Sequence, residues 1–225
     1  TYLPAHPDMS HTALQIDSDG NILGQVIKPN KTFRVVLNLH NMHIELQGHS
    51  PKGFELISDF ALAGHTLSGA YDELDQAIHH YIGEKAKNIL RPNELPWSMP
   101  THPISNGAMF RTKSDSALEL CHWFSNAEKI LQEVHALHPM NASHLTLWPK
   151  HFDMFFSFVR PIYSVAIGFS AGDAILKEPY FYIKPAPVLP EPLPVLSYGE
   201  WKQGDWNGAI LKASEIFSAG NNGQN

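Results

Sequence analysis

Cysteine is almost missing from this chain. The single Cys121 rules out an intrachain disulfide. Long apolar runs are missing too, and none approaches the ~18–20 residues that cross a bilayer, so no membrane role is expected. Basic clusters are absent: no basic run exceeds two residues and the net charge is −6. Nucleic acid needs clustered Lys and Arg to neutralise phosphates, so it is set aside. There is no Walker A pattern, no G-x-G-x-x-G, no H-E-x-x-H and no C-x-x-C pair, which leaves nucleotide-dependent and zincin chemistry without support. The opening "TYLPAHPDMS" is polar and reads as no signal peptide. With one cysteine and no export segment, a cytoplasmic location is expected.

What remains is an ordinary globular composition, 225 residues with 43% hydrophobic and 17% charged, enough to bury a full core. Histidine is over-represented, with 14 residues against 16 Lys and Arg together. Histidine is the commonest metal ligand and titrates near neutrality, yet most of these have no partner at ligand spacing. Two proline-rich segments punctuate the chain: "RPNELPWSMPTHP" at 91–103 and "KPAPVLPEPLP" at 184–194. Proline fixes φ and removes a donor, so both read as extended connectors. The first divides a single unit, 1–225, into halves of about 1–90 and 104–225. The second either docks a partner as a PxxP ligand or lies along its own domain.

The first half reads as strands and then a helix. Asp17-Ser18-Asp19-Gly20 is a turn between apolar runs. "FRVVLNLH", "MHIEL" and "GFELISDF" alternate with period two, the mark of an antiparallel meander with one buried face. "SGAYDELDQAIHHYIG" then changes to helical spacing, with Ser68 as N-cap and Gly83 near the end. The second half opens with a helix from Asp115 to about Leu137, with Ser116 and Glu119 spaced as a capping box. Its apolar stripe includes Cys121, Phe124 and Leu131. His135 and His138 sit in its last turn, where the dipole favours positive charge, though they also have the spacing of a chelating pair. Strands at 144–158, 163–169 and 179–184 follow, then a helix from near Asp205 carrying Ile210, Ala213, Ile216 and Phe217. The order βββ-α-α-βββ-α implies an α+β fold, mainly antiparallel sheet with helices on one face, and a pseudo-repeat of two halves.

Ligand-type and aromatic residues are densest in "HLTLWPKHFDMFFSF". On a strand, Phe152, Met154, Phe156 and Phe158 face one way. His151 and Asp153 face the other, roughly 7 Å apart at Cα. That geometry suits two ligands on one metal, or a carboxylate orienting an imidazole. His144 and Glu178 are the next candidate ligands of a divalent metal, with Trp148, Tyr180 and Tyr182 as pocket walls. The competing reading is a solvent-facing His–Asp pair on a half-buried strand, since a metal needs three or four convergent ligands. "GFSAG", residues 168–172, matches G-x-S-x-G with Ser170 as nucleophile, but no histidine follows it and the segment before Pro179 is too short for the elbow's helix.

Taken in order, "ILGQV", "FRVVLNL", "GFELISDF", "LPWSMPTHPI", "LTLWPKHFDM", "GFSAGD" and "EPYFYIKPAP" resemble a bacterial family known only as a domain of unknown function. That family carries an early G-K-V strand, an F-E-I/L strand, a W-x-x-P connector, an H–F-D-L strand and a G–PEP–F/Y-Y segment before prolines. Here Gln25 replaces the family's usual basic residue. The resemblance implies one continuous domain-like unit and brings no activity, cofactor or catalytic residue. Three functions therefore stand open. The first is a protein, enzyme or not, that binds a small ligand or metal near His151 and Asp153. The second is a non-catalytic protein–protein interaction module, with an oligomer as one outcome. The third is a serine hydrolase using Ser170.

Overall fold

The structure is a computed structural model that describes residues 6–7, 9–83, 97–98, 101–111, 113–137, 142–174 and 176–222. Among the described residues there are two antiparallel sheets and three α-helices, an α+β architecture. By contacts the chain divides into Thr1–Ser125 and Asn126–Asn225. The expected join in the proline-rich 91–103 lies largely outside the described residues. The boundary between these two units lies inside a helix.

The first sheet has the order β1-β2-β3-β4-β5. Its strands are β1 (Gln15–Ile16), β2 (Ile22–Leu23), β3 (Phe33–Asn38), β4 (His43–Ser50) and β5 (Gly53–Ala61). The first hairpin turns where its composition demands. The Asp17 carboxylate accepts from the Asp19 and Asn21 amides, and Gly20 takes φ +84°. Strand β5 departs from the expected alternation. The register shifts beside Leu46 and Gln47, which leaves Ile57 bulged and Leu56 57% exposed.

Helix α1 (Leu67–Ile82) packs its apolar stripe on this sheet. Ile78 and Ile82 meet Phe33 and Leu46, all buried. Thr66 is the N-cap, not Ser68: its hydroxyl accepts from the Gly69 amide at 3.1 Å. Gly83 ends the helix at φ +89°. Helix α2 (Ser114–Ala136) begins before the expected capping box. The Lys113 carbonyl accepts from the Ala117 amide, so Ser116 lies inside the first turn. Cys121 is core as expected; its thiol donates to the Asp19 carbonyl. His138 lies outside the described residues.

The second sheet has the order β10-β11-β9-β8-β7-β6. Its strands are β6 (Thr146–Trp148), β7 (Asp153–Val159), β8 (Ser164–Ser170), β9 (Tyr180–Ala186), β10 (Glu200–Lys202) and β11 (Gly208–Lys212). Two expectations fail here. Residues 144–158 are no single strand but a hairpin, β6 to β7, turning at 149–152 with Phe152 at φ +54°. The last helix, α3 (Ala213–Asn222), starts later than Asp205, and Ile210 lies on β11. "GAIL" is an apolar run whose period cannot separate strand from helix, and pairing with β9 decides it. One face of this sheet carries Met154, Phe156 and Phe169, all buried, and His135 of α2 packs edge-on against Phe156 with centroids 5.1 Å apart.

Candidate functional site

The opposite face of the second sheet is where polar groups converge. Cross-strand register aligns three rows on β7, β8 and β9: Asp153–Ser170–Tyr180, Phe155–Gly168–Tyr182 and Ser157–Ala166–Lys184. Above them lies a cavity of about 380 Å³, within the ~300–1,000 Å³ of small-molecule sites.

Glycine makes room for it. A Cβ at Gly168 would stand 2.6 Å from the Tyr182 ring, from Phe155 Cβ and from the Met154 carbonyl oxygen. The bare position lets the Tyr182 ring lie across the sheet. Gly208 does the same for Trp206, whose ring a Cβ there would meet at 2.6 Å. Trp206 then stands edge-on to Tyr182, centroids 6.2 Å apart at 87°. Phe155 forms a further wall, stacked on Trp148 at 5.9 Å.

Two tyrosine–carboxylate pairs form the polar floor. The Tyr182 hydroxyl donates to Asp153 Oδ2 at 2.6 Å. The Tyr180 hydroxyl donates to Asp173 Oδ2 at 2.7 Å. Asp173 Oδ1 accepts from the Leu176 amide at 3.0 Å. Asp153 Oδ1 is buried with no hydrogen-bond partner. Burial pushes the Asp153 carboxyl above its ordinary range; the Tyr182 hydrogen bond, the nearby His151 and the residue's own backbone amide pull the other way, and Asp173 adds to the rise. Both phenols are driven upward, first by burial and then by the carboxylates they serve, so both remain neutral donors.

Of the expected wall and ligand residues, His151, Asp153, Tyr180 and Tyr182 line the cavity. Trp148 shares the face through its pairing with Asp153 but sits behind Phe155. His151 lies in the exposed turn rather than on the strand, so the same-face argument does not hold for it. The metal set does not assemble. Glu178 accepts from the Ser214 amide and hydroxyl at 2.9 and 3.1 Å, capping α3. His144 is exposed ahead of β6. Among the described residues no group of three or more His, Cys, Asp or Glu could hold a metal ion.

Ser170 does reach the cavity, 2% exposed at the end of β8. Its hydroxyl accepts from the Gly172 amide at 3.2 Å. The elbow is missing, however. Ser170 has no positive φ, and the described residues between β8 and β9 hold no helix. Sequence reasoning missed Asp173, Lys184, Trp206 and Gly168. Period two from Tyr182 would have found Lys184; Asp173 and Trp206 reach the site through loops and carry no such signal.

No family model, curated protein or solved structure matches this chain. The site is therefore read from its geometry alone.

Proposed function

We propose that the protein binds a small organic molecule in the cavity over β7, β8 and β9. One observation supports this above the others. Asp153 is a half-buried carboxyl with one covered, unpartnered oxygen and a raised pKa, on the wall of a concave site. Such a group costs stability, and perturbed carboxyls in clefts are a mark of functional sites. The second pair, Tyr180–Asp173, and the wall from Trp206 give the site orienting polar groups within an aromatic frame, as small-molecule sites have. The test is a thermal-shift panel of small amines, sugars, acids and nucleosides, with Trp206 fluorescence as second readout. A hit should shift the melting temperature of the native chain and lose that shift in Trp206→Leu. A hit that survives Trp206→Leu and Tyr182→Phe unchanged binds elsewhere and sinks this reading.

The interaction-module reading keeps one observation of its own. Val195 is 99% and Tyr198 74% exposed between the proline-rich segment and β10, and exposed apolar residues gathered in one segment mark contact surfaces. Light scattering tests its self-association form. A strict monomer at high micromolar concentration removes that form.

A further inference from the structure

The hydroxyl hydrogens of Tyr180 and Tyr182 are both spent on carboxylates. These phenols therefore offer a ligand ring faces and backed-up negative charge rather than hydrogen-bond donors. The carboxylate oxygens are largely engaged as well. Asp153 Oδ2 takes Tyr182 and its Oδ1 is covered, while both oxygens of Asp173 accept hydrogen bonds. A primary ammonium or a guanidinium seeks a carboxylate oxygen as acceptor, and of these four oxygens three already accept a hydrogen bond and the fourth is covered.

Charge reaches the cavity by another route. A phenol donating to a carboxylate is polarised by it, which enriches its ring face in electron density. An electron-rich face attracts a cation that needs no hydrogen bond. Tyr182 and Trp206 meet edge to face at 87° and line the cavity together with Phe155. The first unit already satisfies its own rings in this way. Lys31 Nζ lies 4.8 Å from the Tyr81 centroid, and the Arg34 guanidinium 4.3 Å from that of Phe54. Among the described residues no Lys or Arg stands over Phe155, Tyr182 or Trp206. The one fixed cation lining the cavity is Lys184, which is exposed and screened by solvent.

We propose that this cavity takes a quaternary or fully methylated ammonium group, held by the ring faces of Tyr182, Trp206 and Phe155 with the Asp153 carboxylate behind Tyr182. The inference rests on the cavity being a ligand site and adds the charge and shape of the ligand's head.

The test uses choline and its neutral carbon isostere, 3,3-dimethylbutan-1-ol, titrated into the full chain by calorimetry and tryptophan fluorescence. Choline should bind about ten-fold or more tightly than the isostere. Trp206→Leu should abolish choline binding, and Tyr182→Phe should narrow the ratio between the two probes. Lys184→Gln should strengthen choline about two-fold and leave the isostere unchanged, since it removes a like charge. This variant alters an exposed side chain, so its effect survives if the aromatic variants fail to fold. Equal binding of the isostere overturns the ammonium assignment and leaves the cavity as a site for something neutral. Failure of both probes while another small molecule binds through Trp206 also overturns the ammonium and keeps the site. Failure of both probes with no other hit removes both readings.

Discussion

Each sheet seats a tyrosine ring on a strand glycine, and the two seats differ in what closes them. In the first unit Tyr81 comes from α1 and lies over Gly48, where a Cβ would stand 2.7 Å from its Cζ. The helix brings Ile78 and Ile82 with it, and the half-buried ring packs against the core they form with Phe33 and Leu46. In the second unit Tyr182 comes from the sheet itself and lies over Gly168. No helix residue joins the cluster of Tyr180, Tyr182 and Ile210. Its neighbours are carboxylates, a tryptophan and a cavity. The same local device yields packing when a helix covers it and a recess when a helix does not. In the recess the Asp153 carboxyl keeps a buried oxygen without a hydrogen-bond partner.

The largest expected effect separates the two glycines. At Gly168 an added Cβ meets the Met154 carbonyl oxygen at 2.6 Å, which is backbone of the neighbouring strand and cannot step aside. Gly168→Ala should cost about 2–3 kcal/mol. At Gly48 the obstacles are the end of Tyr81 and the tip of Ile57, both side chains. Gly48→Ala should cost about 1 kcal/mol. Adding Tyr81→Phe should restore part of the Gly48→Ala loss, whereas Tyr182→Phe should restore none of the Gly168→Ala loss. Urea melts of the four variants check this, and equal costs at the two glycines would break the comparison.

The tyrosine hydroxyls should differ next. The Tyr81 hydroxyl reaches the Thr32 carbonyl only at 3.5 Å, so Tyr81→Phe should be near neutral. The Tyr182 hydroxyl is the one side-chain donor bonded to Asp153. Tyr182→Phe strips the acid of it and should cost about 1–2 kcal/mol at neutral pH. The loss should shrink in acid, where Asp153 is protonated in folded and unfolded states alike. A loss independent of pH would mean the hydroxyl serves packing, as at Tyr81.

Asp153→Asn should move stability the other way. The folded carboxyl is raised above its ordinary 3.8, so the folded state holds its proton more tightly than the unfolded chain. Its penalty is therefore absent below the ordinary value. It grows as pH rises toward the folded value and is complete above it. Asparagine keeps an acceptor for Tyr182 without the charge. The variant should gain about 1 kcal/mol at pH 7 and nothing near pH 3. A thermal melt that shows a loss at pH 7 would mean that the carboxylate is satisfied after all.

Alternation carried the reading of the sequence a certain distance. Period two puts Asp153 beside Phe155 and Tyr180 beside Tyr182 on one face of their strands, and the cavity is built on those four. It could not bring Asp173 to Tyr180 or Trp206 to Tyr182, because both arrive through loops whose path depends on pairing with distant strands. His151 is expected on the strand just after the break at Pro149, whereas the turn runs on through Phe152 and the strand starts at Asp153. Glu178 carried a ligand's chemistry but serves a helix N-terminus, a use that appears only once α3 is known to begin at Ala213. Glycines 48 and 168 look alike in sequence, since what separates them is the element that covers the ring.

The smallest effect calibrates the ammonium proposal. Lys31 Nζ stands over Tyr81 and also donates to the Tyr81 carbonyl at 2.7 Å, in the last turn of α1 where the helix dipole favours a cation. Lys31→Gln retains a donor of similar reach and removes the charge. Because Lys31 is exposed, the loss should be about 0.5 kcal/mol and should fade in high salt. Tyr182 is more buried than Tyr81, and its hydroxyl meets a carboxylate rather than lying at a helix end. The same contact should therefore be worth more there than at Lys31. If Lys31→Gln at low salt costs nothing while choline still binds ten-fold over its isostere, ring polarisation by Asp153 supplies the difference. Tyr182→Phe should then bring the two sites level.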